Sequence, residues 1–102
     1  MKNNIKIIEK LRELLPHLQK EFNISKIELF GSVASGNFSS GSDLDLIYHL
    51  KDRTTLTFAQ YVRLKELIAE NVDFDKIDLI RAENLNPIIR MTSEHNRVNI
   101  DG

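Results

Sequence analysis

The feature that most restricts the fold is the regular change between two hydrophobic periods along the chain. Over residues 8–22 and 58–72 the apolar side chains recur every three or four positions, which is the spacing of one helix face. Residues 26–30, 43–50 and 76–80 instead alternate apolar and polar side chains, which is the period of a strand. Two amphipathic helices and three short strands predict an α/β (α+β) fold, with a mixed β-sheet of three to four strands flanked by helices.

Two residues refine the helical segments. Pro16 lies inside the first pattern and lacks a backbone donor, so the helix either kinks there or ends and restarts with Pro16 in its first turn. Thr57 and Gln60 have the spacing of an N-cap residue and its return partner. The second long helix is therefore expected to begin at residue 58.

The C-terminal part of the sequence predicts two further elements. Asn86 followed by Pro87 is typical of a helix start, so a short helix is expected from Asn86 to about Glu94. Its apolar residues Ile88, Ile89 and Met91 offer a contact surface for a partner or for the sheet. Residues 97–100 are expected to form a small edge strand.

Length and composition exclude several classes of protein. The 102 residues are expected to form a single domain, 1–102, because a chain of this length is close to one ordinary domain. The absence of cysteine excludes a thiolate zinc site and a cysteine nucleophile, and it fits a reducing compartment. No stretch is apolar enough to span a membrane or to form a signal peptide, so a cytoplasmic protein is expected.

Charge is distributed unevenly along the chain. Residues 1–30 hold six Lys or Arg and four Glu, and residues 51–102 hold eight Lys or Arg against nine Asp or Glu. Without a strongly basic stretch, direct nucleic-acid binding is disfavoured. The central segment 31–50 contains Asp43 and Asp45 and no Lys or Arg, a composition suited to holding a cation.

Three aspartates are candidates for metal ligands. Asp43 and Asp45 are two residues apart on a strand, so their carboxylates lie on one face, with Cα atoms roughly 6.6 Å apart. If the third strand pairs beside the second, Asp78 joins them on that face. Oxygen ligands favour Mg²⁺ or Mn²⁺ over zinc, and Mg²⁺ commonly shares its ligands with substrate phosphates. The pattern therefore predicts a divalent metal and a nucleoside triphosphate.

The segment Gly31–Ser42, rich in glycine and serine, is predicted to be a loop. Gly31 and Ser32 follow the first predicted strand, where a glycine allows the backbone to approach a ligand. A helical turn after them would direct amide donors at an anion such as a triphosphate. The sequence thus places metal-binding carboxylates and phosphate-binding donors in neighbouring elements.

These residues resemble a known family. Phe30-Gly31-Ser32, ten intervening residues and Asp43-Leu44-Asp45-Leu46 resemble the signature of the DNA polymerase β-like nucleotidyltransferase superfamily, and Ser42 before Asp43 resembles its minimal nucleotidyltransferase (MNT) branch. The resemblance implies a nucleotidyltransferase fold and transfer of AMP from ATP. It also implies that Asp43 and Asp45 bind metal, that Asp78 completes the site and activates the attacking hydroxyl, and that the Gly31-Ser32 pair holds the triphosphate.

The same resemblance implies a partner protein. Minimal members are commonly paired with a HEPN toxin, a ribonuclease, and act as its antitoxin, in some systems by adenylylating a toxin tyrosine. Ser35 stands where family members usually carry Arg, which motivates an alternative in which the chain neutralises the toxin by binding alone. A small-molecule transferase is less favoured, because the relatives that modify aminoglycosides carry a second domain for the acceptor.

Overall fold

Helices and strands follow one another in the order that the two hydrophobic periods predict. The computed structural model describes residues 4–36, 38–39, 41–74, 76–85 and 97–100. Within them, the elements are α1 (Ile5–Phe22), β1 (Ile24–Phe30), α2 (Gly31–Ser35), β2 (Leu44–Leu50), α3 (Phe58–Val72), β3 (Ile77–Arg81), a 3₁₀ turn (Ala82–Asn84) and β4 (Val98–Ile100). None of the helices in these ranges has the length and apolar character needed to cross a membrane.

The first helix runs through Pro16 as one element of 18 residues. Of the two predicted alternatives, an end and restart at Pro16 is therefore wrong. Pro16 and Arg12, whose carbonyl loses its usual amide donor, are both exposed, so water can replace the missing hydrogen bond. The helix ends where Asn23 adopts a left-handed conformation with φ of 57°, which asparagine tolerates better than most residues.

The capping prediction for α3 is confirmed. Thr57 Oγ1 accepts a hydrogen bond from the Gln60 amide at 3.1 Å, and Gln60 Oε1 accepts one from the Thr57 amide at 2.9 Å. The reciprocal pair satisfies two amide groups that the first turn of a helix leaves without partners. Sequence alone thus fixes where this helix begins.

The sheet has four strands in the order β3-β2-β1-β4. Strand β1 pairs antiparallel with β2 and with β4, and β2 pairs parallel with β3. The parallel pair is possible because α3 provides the crossover between β2 and β3. The prediction of a mixed sheet flanked by helices is confirmed, as is the edge strand near residues 97–100.

The main core lies between one face of the sheet and the helices α1 and α3. Leu44 and Leu46 of β2 are fully buried there, as the alternation of that strand predicts. Side chains from both helices complete this core, and they include Leu11, Leu15, Leu18, Phe22, Leu64 and Ile68. The opposite face of the sheet is thereby left to carry the polar residues of β1, β2 and β3.

The structure differs from the sequence prediction at the start of the segment 31–42. Residues Gly31–Ser35 form the short helix α2, where a loop is predicted. The helix forms because Val33 is fully buried against the sheet, and because hydrogen bonds from the Asn4 side chain hold its end. The predicted helix from Asn86 to Glu94, with its contact surface, lies outside the described residues.

Candidate active site

The parallel pairing of β2 and β3 places two of the predicted site residues side by side. Asp45 and Asp78 are partners in the register of these strands. Neighbouring strands are about 4.8 Å apart, and partners in register project from the same face, so the two carboxylates are neighbours. Asp43 lies just before β2, one alternation away from Asp45, and is exposed. The condition on which the predicted site depends, pairing of the third strand with the second, is met.

The electrostatics of Asp45 reflect this crowding. Burial, and then the neighbouring charges of Asp78 and Asp43, raise the pKa of Asp45 from 3.8 to about 6. A carboxylate in this position is stabilised by a cation, because a cation offsets both the lost hydration and the repulsion. The three carboxylates are also the oxygen donors that Mg²⁺ and Mn²⁺ prefer. The donor set therefore fits the predicted metal.

The side chains are not in the arrangement of a closed metal site. Across the ranges that the structure describes, no three His, Cys, Asp or Glu side chains are grouped closely enough to hold a metal ion. The structure brings Asp45 and Asp78 together by register and Asp43 near enough to influence the pKa of Asp45. A shared metal bound by all three aspartates stays a prediction.

Gly31 lies directly against Asp45. Its φ is +79°, a conformation that residues with a side chain rarely adopt. A Cβ at this position would lie 2.4 Å from Asp45 Oδ2, well inside any allowed contact. Antiparallel pairing of Phe30 with Asp45 brings the end of β1 to this point. The glycine of the motif is therefore required by the aspartate of the motif.

Ser32 follows in the first turn of α2. Phe30 precedes this helix in an extended conformation, and no side chain in the described ranges caps the helix N-terminus. Ser32 itself is partly exposed, and its carbonyl accepts a hydrogen bond from the Ser35 hydroxyl at 3.0 Å. The structure thus places Ser32 one residue from the contact between Gly31 and Asp45, at the edge of the candidate site.

Two features of the site are not predicted by the sequence. The Asn4 side chain donates hydrogen bonds to the backbone of α2, at Val33 and Ala34. An asparagine before an amphipathic helix suggests a cap for that helix, and nothing in the sequence connects it to a segment 29 residues away. The second feature is the Tyr61 hydroxyl, which donates to the Leu79 carbonyl at 2.9 Å and so supports β3 next to Asp78.

A buried carboxylate also lies on the sheet face that carries Asp45. Glu28 of β1 is 6% exposed. Its oxygens lie 2.6 Å from His49 Nε2, 3.3 Å from Arg97 Nη1 and 3.7 Å from Lys26 Nζ. Burial alone would raise the pKa of Glu28, but the His49 hydrogen bond and the charges of Lys26 and Arg97 leave it below its usual value. This cluster joins β1, β2 and the residue preceding β4.

Comparison with known proteins identifies the family. Residues 9–100, which are most of the chain, match the family model described as polymerase beta, nucleotidyltransferase. The chain belongs to this nucleotidyltransferase family. The match includes Gly31, Ser32 and all three aspartates, so the resemblance seen in the sequence motifs is confirmed at the level of the family and its fold.

A curated relative is similar over nearly its whole length. It is a Methanocaldococcus jannaschii protein that its name assigns provisionally as a protein adenylyltransferase. The two sequences are 28% identical over 99 residues, which span 96% of this nucleotidyltransferase and 98% of the relative.

Two solved structures of toxin–antitoxin complexes contain similar chains. The first is a crystal structure of a toxin–antitoxin with AMP-PNP, whose matching chain is 26% identical and has a TM-score of 0.66. The match covers 99% of this chain and 74% of the other. The second holds a tri-AMPylated Shewanella oneidensis HEPN toxin in complex with an MNT antitoxin; here the identity is 24%, the TM-score 0.58, and the coverage 98% of this chain and 70% of the other. At this identity, the second likeness concerns the fold alone.

Proposed function

We propose that this nucleotidyltransferase is a single-domain, Mg²⁺-dependent adenylyltransferase that moves AMP from ATP to a hydroxyl of a HEPN toxin, a tyrosine, and thereby acts as its antitoxin. The observation that carries the proposal is the contact between Gly31 and Asp45 beside the register pair Asp45–Asp78. It joins the turn assigned to the phosphates to the carboxylates assigned to the metal. The AMP-PNP complex among the similar structures, whose matching chain is 26% identical, supports the same chemistry.

The metal is assigned to the three aspartates. Asp43, Asp45 and Asp78 would hold Mg²⁺ or Mn²⁺ through carboxylate oxygens, and the metal would supply positive charge to offset that of the triphosphate and of the attacking oxygen. The Ser32 hydroxyl and the backbone amides that follow Gly31 would bind the phosphates from the opposite side. Such a site works mainly by positioning and by neutralising charge.

Asp78 is the residue assigned to the acceptor. It is exposed on β3, one of the two edge strands of the sheet, so an incoming protein side chain reaches it from solvent. In the transfer, the acceptor oxygen forms a bond to the α-phosphorus of ATP, and the bond from that phosphorus to the bridging oxygen breaks. Asp78 takes the hydroxyl proton, and pyrophosphate leaves. The product is an AMP ester of the acceptor.

One observation favours a second function. The Ser35 hydroxyl is used within α2, where it donates to the Ser32 carbonyl, and α2 contains no cationic residue. A site with less positive charge near the phosphates binds ATP weakly, and a chain of this kind would neutralise its toxin by covering it. In this second candidate, complex formation is the whole of the antitoxin activity.

One experiment separates the two functions. The purified chain is incubated with labelled ATP, Mg²⁺ and the product of the neighbouring gene, in parallel with EDTA and with Asp45→Asn. Label on the partner that disappears in both controls supports the adenylyltransferase. A tight complex without label supports the binding antitoxin. If the assay gives no label and no complex forms, both functions are contradicted.

A further inference from the structure

Asn4 occupies the N-cap position of α1 but does not cap that helix. An asparagine at this position ordinarily accepts a hydrogen bond from an amide in the first turn of its own helix. The Asn4 side chain makes no such bond. Its Nδ2 instead donates to the carbonyl oxygens of Val33, at 2.9 Å, and Ala34, at 3.2 Å. Because both partners accept hydrogen bonds, the NH₂ end of the side chain must face α2.

Helix α2, which accepts these hydrogen bonds, depends on contacts with residues outside the helix. Helix α2 has five residues, and a helix this short does not persist by itself, because its few internal bonds do not offset the cost of nucleation. Its last carbonyls lack partners within the helix. The amide of Gly36 donates hydrogen bonds to the carbonyls of Ser32 and Val33. The Asn4 side chain donates to the carbonyls of Val33 and Ala34. The Ala34 carbonyl thus has its hydrogen bond from a residue 30 positions earlier in the chain.

The position of α2 matters because its first residues belong to the candidate active site. Gly31 contacts Asp45, and Ser32 is the next residue. Val33, which receives the shorter Asn4 bond, is fully buried and separates this turn from the end of the helix. A rotation of α2 about Val33 would therefore move the Gly31–Ser32 turn relative to Asp45. The two Asn4 bonds oppose such a rotation from the other end of the helix.

Building on the proposed function, we infer that Asn4 is a positioning residue for the nucleotide. By holding the carbonyl end of α2, it fixes the Gly31–Ser32 turn in the place where the triphosphate binds. Asn4 touches no reacting atom in this role and acts only through the backbone of α2. Its loss is expected to weaken binding of Mg-ATP while leaving the transfer step itself largely intact.

Two substitutions test this role through Mg-ATP affinity, measured by calorimetry without acceptor. Asn4→Ala removes both hydrogen bonds and is expected to weaken Mg-ATP binding about tenfold. Asn4→Asp keeps the shape but sets a carboxylate oxygen against two carbonyls, so a larger loss is expected. At saturating ATP, kcat for AMP transfer should change by less than about threefold in Asn4→Ala. A fall in kcat with unchanged affinity would overturn the positioning role.

Asn71→Ala is the matched control. The Asn71 side chain also donates to a backbone carbonyl, that of Leu67 at 2.8 Å, on an exposed part of α3. This variant loses the same type of bond and should bind Mg-ATP normally. An equal loss of affinity in both variants would mean that general destabilisation, and not the position of α2, is responsible.

Hydrogen exchange at the amides of residues 31–36 examines the link to α2 without any nucleotide. Faster exchange there in Asn4→Ala, and not in Asn71→Ala, is the expected result. Unchanged exchange would overturn the inference, and faster exchange with normal Mg-ATP affinity would overturn the positioning role. If the unaltered chain binds no Mg-ATP, the proposed function and the role built on it both fail, while the exchange data still decide whether Asn4 holds α2.

Discussion

Gly31 and Asp45 are in such close contact that a methyl group at position 31 would overlap the Asp45 carboxylate, 2.4 Å from Oδ2. Asp45 lies in β2, and Gly31 is the first residue of α2, directly after β1, whose last residue Phe30 is the register partner of Asp45. The contact therefore fixes the distance between the turn assigned to phosphate and a carboxylate assigned to metal. Each of the two residues restricts what the other position accepts.

Substitution of Gly31 by alanine is expected to damage both stability and activity. The left-handed backbone at this position costs a residue with a side chain about 1–2 kcal/mol, and displacement of Asp45 adds to that cost. A misplaced carboxylate should reduce AMP transfer by about 10²-fold. Urea unfolding and a transfer assay measure the two effects.

Gly36→Ala is the control for that experiment. Gly36 has a similar φ of +83°, but a Cβ there would meet no atom within 4 Å. This variant should lose stability through backbone strain and keep most of its transfer activity. Equal losses of activity in the two variants would contradict a specific role for the contact with Asp45.

The three aspartates are expected to differ in what they contribute. Asp43→Asn and Asp45→Asn should weaken Mg-ATP binding and abolish transfer, because these residues are assigned to the metal that binds the triphosphate. Asp78 is expected chiefly to bind a second metal or to take the acceptor proton, so Asp78→Asn should leave nucleotide affinity within a few-fold but reduce transfer by at least about 10²–10⁴-fold, the contribution of a general base. Calorimetry and transfer must be measured for each variant. Normal transfer by Asp78→Asn would exclude that residue from the site.

The raised pKa of Asp45 predicts that this residue destabilises the metal-free protein. Its pKa of about 6 in the native state exceeds the ordinary 3.8, so the native state binds more protons than the unfolded state between these values. The free energy of unfolding should therefore fall as the pH rises through this window. In EDTA, Asp45→Asn should be more stable than the unaltered chain above about pH 6, and the difference should vanish near pH 4.

The exposed carboxylate Asp52 provides the comparison for this pH series. Urea unfolding of Asp52→Asn at the same pH values should show no such gain. If Asp45→Asn were instead less stable than the unaltered chain at pH 7, Asp45 would be stabilised by partners that the fold does not reveal.

The cluster around Glu28 predicts the opposite pH dependence. Because the His49 hydrogen bond and the neighbouring cations leave its native pKa below the usual 4.5, Glu28 contributes stability above that pH. The contribution is lost as the pH falls through the lowered pKa of the native state. Glu28→Gln should lower the free energy of unfolding, measured with urea, by about 1–3 kcal/mol near pH 7. This difference from the unaltered chain should narrow below pH 4.5. The control Glu66→Gln, at an exposed position, should lower the free energy of unfolding little.

Much of this site follows from sequence because its parts obey short-range rules. The alternation of β2 gives the face of Asp45, and the spacing of Thr57 and Gln60 gives the start of α3. The structure adds that β3 pairs with β2 in the register that matches Asp45 with Asp78. Helix α2 could not be predicted, because its glycine and its two serines are typical of loops. It is formed by long-range contacts, the burial of Val33 and the bonds from Asn4.

The parallel pairing of β2 and β3 also determines when the site comes into existence during folding. The contact between Gly31 and Asp45 lies at the end of an antiparallel pair whose strands are close in sequence. Asp78 reaches Asp45 only after the crossover that contains α3 has closed, and such distant contacts form slowly because chain entropy is lost first. A chain still emerging from the ribosome therefore lacks the complete set of aspartates. If Asp78 has the role proposed for it, nucleotide chemistry begins only when β3 has docked, so the activity itself would report that this strand is in place.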